Sequence, residues 1–361
     1  MPRSSCLVML LFSLLRPVMA HAHDPGMTAA TLLLEPARAT LELSVKGRDL
    51  EQESGVRLRY DGEGNVDPAA LAEQAGAVRG YIGERAGLAA SGRACRPAQV
   101  EIEAIEDNVV SIIDFPCGRD DAGLTYATRL LHDIQPATVQ TLLVVDGDQS
   151  STFVLDRAHP RLNLNEQPSP AGLVWRFFLA GTTHLFIGFD HIAFLLALIL
   201  WARRIAPLVK VVTAFTIAHS ITLSLAAFSI FVLPSRWVEA LIAATVVGVA
   251  AENFRSRDAA NRWIEAFVLG LFHGFGFASV LADLAIEKDV LVPALFGFNL
   301  GVEAGQLVIV AVAVPLLRGV DHLTTPAGHE PRRAPVVVWF LSALIAAFGC
   351  YWLVERLFMT P

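Results

Sequence analysis

The sequence predicts an α-helical polytopic membrane bundle of about six transmembrane helices, preceded by a small exported, mainly-β domain. Three observations carry this expectation. Of 361 residues, 54% are hydrophobic and only 17% charged, with a mean hydropathy of +0.50; soluble domains carry about 25% charged residues. The apolar excess is also unevenly placed. Up to about residue 170, Glu, Arg, Asp and Gly are mixed as in a soluble domain; beyond it, apolar runs recur at the roughly 20-residue length a helix needs to cross a bilayer. The chain also opens as a secretory signal does, with Arg3, the short apolar core CLVMLLFSLL (6–15) and small residues at Ala20–His21–Ala22. The expected organisation is a signal peptide (1–22), an exported domain (23–165), a linker (166–176) and a transmembrane domain (177–357).

Within the exported region, TLLLEPARATLELSVKG (31–47), RLRY (57–60), VVSIIDF (109–115), LTYATRLL (124–131), QTLLVVDG (140–147) and STFVLD (151–156) read as strands bounded by Gly, Pro and Asp. DPAALAEQAGAVRGYIGERAGL (67–88) has helical composition after a Pro-marked start. Cys6 leaves with the signal and Cys350 lies in an apolar run, so Cys95 and Cys117 remain as the pair in the exported domain. One disulfide between them is predicted, because export takes thiols into an oxidising compartment. In a Gram-negative cell this organisation puts the bundle in the inner (plasma) membrane and the domain in the periplasm. The net charge of −7 offers no basic patch, which sets nucleic-acid partners aside.

Six spans follow, at about 177–201, 207–231, 236–254, 262–282, 291–317 and 335–354. With the N-terminal side outside, the inner loops hold Arg203, Arg204, Lys210, Arg255, Arg257, Arg262, Arg318, Arg332 and Arg333; the outer loops and tail hold only Arg236, Lys288 and Arg356. That asymmetry obeys the positive-inside rule and supports an even number of spans. Trp175, Trp201, Trp237, Trp263, Trp339 and Trp352 fall near the predicted span ends, as an aromatic belt does. Segment 171–188 is read either as the start of the first span or as an interfacial or re-entrant piece, with the span proper starting near Gly188.

An ionisable side chain at mid-bilayer costs at least about 2.5–3.5 kcal/mol, so it needs a partner or a task. The first span carries His184, Asp190 and His191; the second His219; the third Glu239, Glu252 and Asn253; the fourth His273; the fifth Asn299, Glu303 and Gln306. The sixth has no ionisable residue before Glu355 and reads as scaffold. Asn299, Glu303 and Gln306, spaced i, i+4, i+7, share one helix face. At about 1.5 Å rise per residue His219, His273 and Glu303 reach mid-bilayer, with Asp190 and His191 in the outer half. One buried His in a bundle serves equally well as an interhelical hydrogen-bonder, but three spans bearing His, together with Asp190 and Glu303, form a set that suits a divalent transition metal (Ni, Co, Zn or Cu). The absence of Cys and Met ligands argues against Cu⁺. Gly181, Gly188, Gly274, Gly276 and Gly301 lie beside these positions, where small residues let helices approach or bend. Glu252 and Asn253 are expected at a solvated span end, and Ser220, Thr222 and Ser279 are expected to bond their own helix carbonyls.

These residues resemble the HupE/UreJ family of hydrogenase and urease accessory membrane proteins. The shared element is His184-x-x-x-Gly188-x-Asp190-His191, with FTIAHSITLSLA, HGFGFAS and FNLGVEAGQL similar to later elements of the branch that carries an added exported domain. The likeness covers residues 181–307. It implies nickel or cobalt permeation, with metal at His184, Asp190, His191, His219, His273 and Glu303 and with Asn299 and Gln306 in support. Leu185 stands where the family's other branch has Pro, IAFLLALILWA replaces an Ala-Met-rich continuation, and there is no His-rich tract.

Two functions are carried forward. In a divalent-metal permease, His184, Asp190 and His191 receive the ion outside while His219, His273 and Glu303 pass it through the bundle; its partners are the metal and the lipid bilayer. No G-x-x-x-x-G-K-[ST] loop is present to bind ATP. In a membrane-embedded zinc hydrolase, three His hold Zn²⁺ and Asp190 or Glu303 acts as general base. A second metal site is expected if the signal is cut after Ala20. The amine and backbone amides of His21–Ala22–His23, with the His23 imidazole, then form a square-planar nitrogen set for Cu²⁺ or Ni²⁺. A cut after Ala22 leaves His23 alone.

Overall fold

Alternation such as that in TLELSVK gives a strand one apolar and one polar face, and such segments build the N-terminal region. In a computed structural model, residues 27–62, 64–132, 138–165, 170–231, 233, 235–256, 261–276, 288–325, 329–330 and 332–359 are described. The expected signal peptide, with His21 and His23, lies outside the described residues, as does Ser279.

In chain order the N-terminal elements are β1 (Met27–Leu34), β2 (Ala39–Lys46), α1 (Gly47–Ser54), α2 (Pro68–Arg85), β3 (Ala86–Ala90), β4 (Arg93–Ala94), β5 (Gln99–Ile105), β6 (Asn108–Phe115), β7 (Thr125–Thr128), β8 (Val139–Asp146), β9 (Gln149–Asp156) and β10 (Arg161–Asn163). One sheet runs β5-β6-β2-β1-β8-β9 and a second β10-β7-β3-β4. Pairing is antiparallel except between β1 and β8. Leu41, Leu43, Leu50, Ile82, Tyr126 and Leu142 share one apolar core. Tyr126 donates to Gln140 Oε1 at 2.6 Å, and Gln140 donates to Thr28 at 3.1 Å. Burial pushes the Tyr126 phenol above its ordinary pKa. Cys95, just after β4, is bonded to Cys117, just after β6, so the predicted disulfide staples the two sheets together.

Two expectations differ here. RLRY forms no strand: Glu51 takes its ladder's place, accepting from Leu58 N at 2.6 Å and from the Tyr60 hydroxyl at 2.9 Å. Its backbone pairing is limited to an isolated bridge from Tyr60 to Val66 with an Asp67 N to Arg59 O bond of 2.8 Å beside it. The helix expected over 67–88 stops at Arg85, because residues 86–89 pair with β7 instead. Its start is set by Asp67, whose carboxylate accepts from Ala69 N at 2.8 Å ahead of Pro68 in the first turn.

The helical region comprises α3 (Pro170–Ile187), α4 (Phe189–Ile199), α5 (Ile205–Ala227), α6 (Ser235–Arg255), α7 (Arg262–Gly276), α8 (Lys288–Thr324) and α9 (Pro335–Val354), ending in a π-helical turn, Glu355–Met359. Among the described residues α5, α6, α8 and α9 are each long and apolar enough to cross a membrane, and α3 with α4 forms a bent pair that has the length and composition of a broken span or a re-entrant loop. The expected fourth span, 262–282, is described only to Gly276. The helix begins at Pro170 rather than at 177, since proline suits a first helical turn. The expected first span is not one helix: α3 and α4 meet at 74°. Gly188 sits at that break because a Cβ there would stand 2.6 Å from His191 Nδ1 and 3.0 Å from the His184 carbonyl.

Glycines also set the helix spacing. Gly297 and Gly301 bring α8 against the backbone of α3 at Val174 and Phe178, and Gly274 brings α7 against the His219 carbonyl on α5. The sheet of the β domain rests on one end of the bundle, where Val139 and Val154 share an apolar cluster with Phe177, Leu291, Leu295 and Phe298. At the far end Asn253 is buried, not solvated as expected. Its amide donates to the Ala197 carbonyl at 2.9 Å and accepts from Arg262 at 3.0 Å. Arg333 pairs with Asp321 at 2.6 Å and also donates to the Leu200 carbonyl.

Candidate functional site

The break at Gly188 puts His184 at the end of α3 and His191 in the first turn of α4, so two residues of one short segment come from two helix directions. Their ring centroids are 4.9 Å apart at 67°. His191 lies equally close to His273 of α7, 5.1 Å away at 73°. His219 of α5 stands beside Phe215 and Phe298, and Phe298 also touches His184. Four imidazoles, all buried, thus gather with Phe215 and Phe298.

The chemistry of the hydrogen-bond partners decides which ring nitrogens are open. Asn299 donates through Nδ2 to the Leu295 carbonyl at 2.8 Å, so its Oδ1, 3.0 Å from His219 Nδ1, is an acceptor. His219 Nδ1 therefore carries the proton. Thr245 spends its hydroxyl hydrogen on the Ile242 carbonyl at 2.6 Å, so it accepts from His273 Nε2 at 3.0 Å. Asp190 Oδ1 accepts from His191 Nδ1 at 2.9 Å. In a neutral imidazole with one nitrogen donating, the other carries a lone pair. Those lone-pair nitrogens are His191 Nε2, His219 Nε2 and His273 Nδ1, and each is buried with no hydrogen-bond partner among the described residues.

Asp190 has both oxygens engaged. Oδ1 also accepts from the His191 backbone N at 2.8 Å, and Oδ2 forms a 2.9 Å ion pair with Arg356. Arg356 reaches in from the π-helical turn and is held by the Glu239 carbonyl at 2.8 Å. Its signal in the sequence is its place: an arginine at the exit of an apolar run needs a partner.

Of the other candidates, Glu303 and Gln306 lie apart from the imidazoles. Asn299, Glu303 and Gln306 all reach α5, but only Asn299 meets a histidine. Glu303 accepts from Thr213 at 2.7 Å and Gln306 from Thr216 at 3.4 Å. The result is a polar seam along α5 and α8 leading away from the β domain. Ser220 and Thr222 bond their own helix carbonyls at Thr216 and Ala218. As placed, no three His, Cys, Asp or Glu side chains among the described residues surround a single point at metal-binding distance. Pairs do better: with metal–nitrogen bonds of about 2.1 Å, two imidazoles on one ion have ring centroids about 4.5–5.2 Å apart. Both pairs that include His191 fall in that range.

No curated protein matches the chain. A family model described as HupE / UreJ protein matches residues 161–356, more than half of the chain and all of the described helices that carry these imidazoles, so the chain belongs to the HupE/UreJ family.

Proposed function

We propose that this protein is a permease for a divalent transition metal of the nickel and cobalt type, with the metal as cargo held by imidazoles inside the bundle. The family's association with nickel and cobalt transport or accessory roles supports the class of cargo. The observation that carries the reading is the set of three buried lone-pair nitrogens, each turned to the cluster by an acceptor on the opposite nitrogen. Metal-binding histidines have this arrangement, in which the second nitrogen's partner fixes the tautomer and raises ligand basicity. Nitrogen donors without sulfur suit Ni²⁺, Co²⁺, Cu²⁺ and Zn²⁺.

His191 belongs to both close pairs, so a cation passes from His184–His191 to His191–His273 by exchanging one ligand at a time. Few and exchangeable ligands are what conduction needs. Glu303, on the α5–α8 seam, takes the ion onward. The β domain lies on the exported side, as the loop charges indicate, and the ion travels inward from it. The hydrolase alternative is less favoured, since Asp190 is engaged by His191 and Arg356 and Glu303 stands off the imidazole cluster beside Thr213.

Flux of Ni²⁺, Co²⁺, Cu²⁺ and Zn²⁺ into liposomes holding the purified protein tests this reading beside His191→Ala. Flux that the substitution abolishes is expected. Absence of flux for every ion, with metal still bound stoichiometrically, overturns transport and favours the metal hydrolase.

A further inference from the structure

The imidazole cluster contains a carboxylate that could compete for the cation, and the structure commits that carboxylate elsewhere. Asp190 Oδ1 lies 2.8 Å from the His191 backbone N and 2.9 Å from His191 Nδ1, and Oδ2 lies 2.9 Å from an Arg356 nitrogen. Both side chains are at most 8% exposed. Arg356 is itself fixed by the Glu239 carbonyl at 2.8 Å, with the Glu239 carboxylate 3.9 Å away. The guanidinium thus bridges the first turn of α4 to the start of α6, and the wider π-helical turn at the end of α9 is what delivers it there.

We infer that Arg356 is a positioning residue that keeps Asp190 out of the cation's coordination shell, leaving a nitrogen-only site that selects against oxygen-preferring ions. This rests on the metal reading above. With Arg356 in place the Asp190–Arg356 pair is neutral, and Asp190 serves only to orient His191. Mg²⁺, Ca²⁺ and Mn²⁺ seek carboxylate and carbonyl oxygens, whereas Ni²⁺, Co²⁺, Cu²⁺ and Zn²⁺ accept imidazole. Paired with Arg356, Asp190 also adds no net negative charge to hold a divalent ion tightly, which suits cargo that must leave. Without Arg356, Oδ2 becomes an oxygen ligand adjacent to the His191 ring.

The experiment compares the full-length wild type, Arg356→Lys, Arg356→Gln, Asp190→Asn and the Arg356→Gln/Asp190→Asn double variant. Ni²⁺ and Mn²⁺ binding are measured by equilibrium dialysis, and the ligand shell of bound Co²⁺ by X-ray absorption and visible spectra. Arg356→Gln is expected to raise Mn²⁺ affinity relative to Ni²⁺ by at least about tenfold, the scale on which groups behind metal ligands act, and to add an oxygen ligand to Co²⁺. Arg356→Lys keeps the wild-type ratio, and the double variant loses the gain. An unchanged ratio and shell in Arg356→Gln overturns the inference while leaving the metal site standing. Should Arg356→Gln fail to fold, Asp190→Asn decides: an unchanged shell supports the inference, and loss of a carboxylate oxygen ligand overturns it. A wild type that binds neither metal overturns the metal reading and this inference together.

Discussion

Asn299 Oδ1 accepts from His219 Nδ1 at 3.0 Å while Asn299 Nδ2 donates to the Leu295 carbonyl at 2.8 Å, so one amide on α8 decides which nitrogen of an imidazole on α5 is open. Asn299→Leu removes the acceptor and lets the His219 ring turn or change tautomer. Metal affinity should fall about 10–100-fold, as it does when groups behind a ligand are lost. The check is a double-mutant cycle read by titration calorimetry. Because Asn299 acts through His219, Asn299→Leu/His219→Ala should bind no more weakly than His219→Ala alone. Additive losses would show that Asn299 acts on its own.

Spacing between helices sets the cluster as much as the ligands do. A Cβ at Gly301 would collide with the Phe178 carbonyl and stand 2.9 Å from Thr182 N, so Gly301→Ala forces α3 away from α8. A destabilisation of about 1–3 kcal/mol is expected, typical of overpacking a close contact. Gly248→Ala, on α6 with nothing within 4 Å of the new Cβ, should leave Tm unchanged or raise it. Thermal unfolding of both variants in detergent gives the comparison; equal Tm values would mean that α3 yields without cost.

Much of the fold was legible because the periodicities are strong. β6, β8 and β9 fall within a residue or two of VVSIIDF, QTLLVVDG and STFVLD. QVEIEAI, outside the expected strands, also alternates; it is an edge strand with its glutamates exposed, so it carries no strong apolar face to mark it. The break at Gly188 was legible only as an option, because a bend made by one ring packing over one glycine leaves no mark on hydropathy.

The site was readable in its residue types and not in its pairings. His184, His191, His219 and His273 stood out as imidazoles in apolar runs, and the i, i+4, i+7 spacing put Asn299, Glu303 and Gln306 on one face. Nothing local says that Glu303 meets Thr213 while Asn299 meets His219, since that depends on how α8 is rotated against α5. Arg356 and Thr245 were missed because each acts across helices far apart in sequence.

The disulfide offers a test confined to the β domain. Cys95 and Cys117 are 22 residues apart, and opening a loop of that size costs about 3 kcal/mol on the chain-entropy account. In Cys95→Ser/Cys117→Ser, amide exchange in β3, β5 and β6 should quicken by about 100-fold, while α5 and α8 keep their protection, because the bond staples sheets that lie outside the bundle. Hydrogen exchange with mass spectrometry resolves the two regions. Equal acceleration in both would mean that the domain and bundle open as one unit.

Glu303 separates binding from transfer. It lies off the imidazole cluster, accepting from Thr213 at 2.7 Å on the seam that leads away from the β domain. Glu303→Gln keeps the size and one acceptor but removes the negative charge that would draw a cation from the histidines. Equilibrium affinity for Ni²⁺ or Co²⁺ should therefore stay within about twofold, since the substitution touches no imidazole, while maximal flux falls by about tenfold or more. That magnitude corresponds to about 1.4 kcal/mol of added barrier for the onward step. Binding isotherms and liposome flux on the same preparation give both quantities. If affinity and flux fall together, Glu303 belongs to the receiving site and the α5–α8 seam is not the path onward.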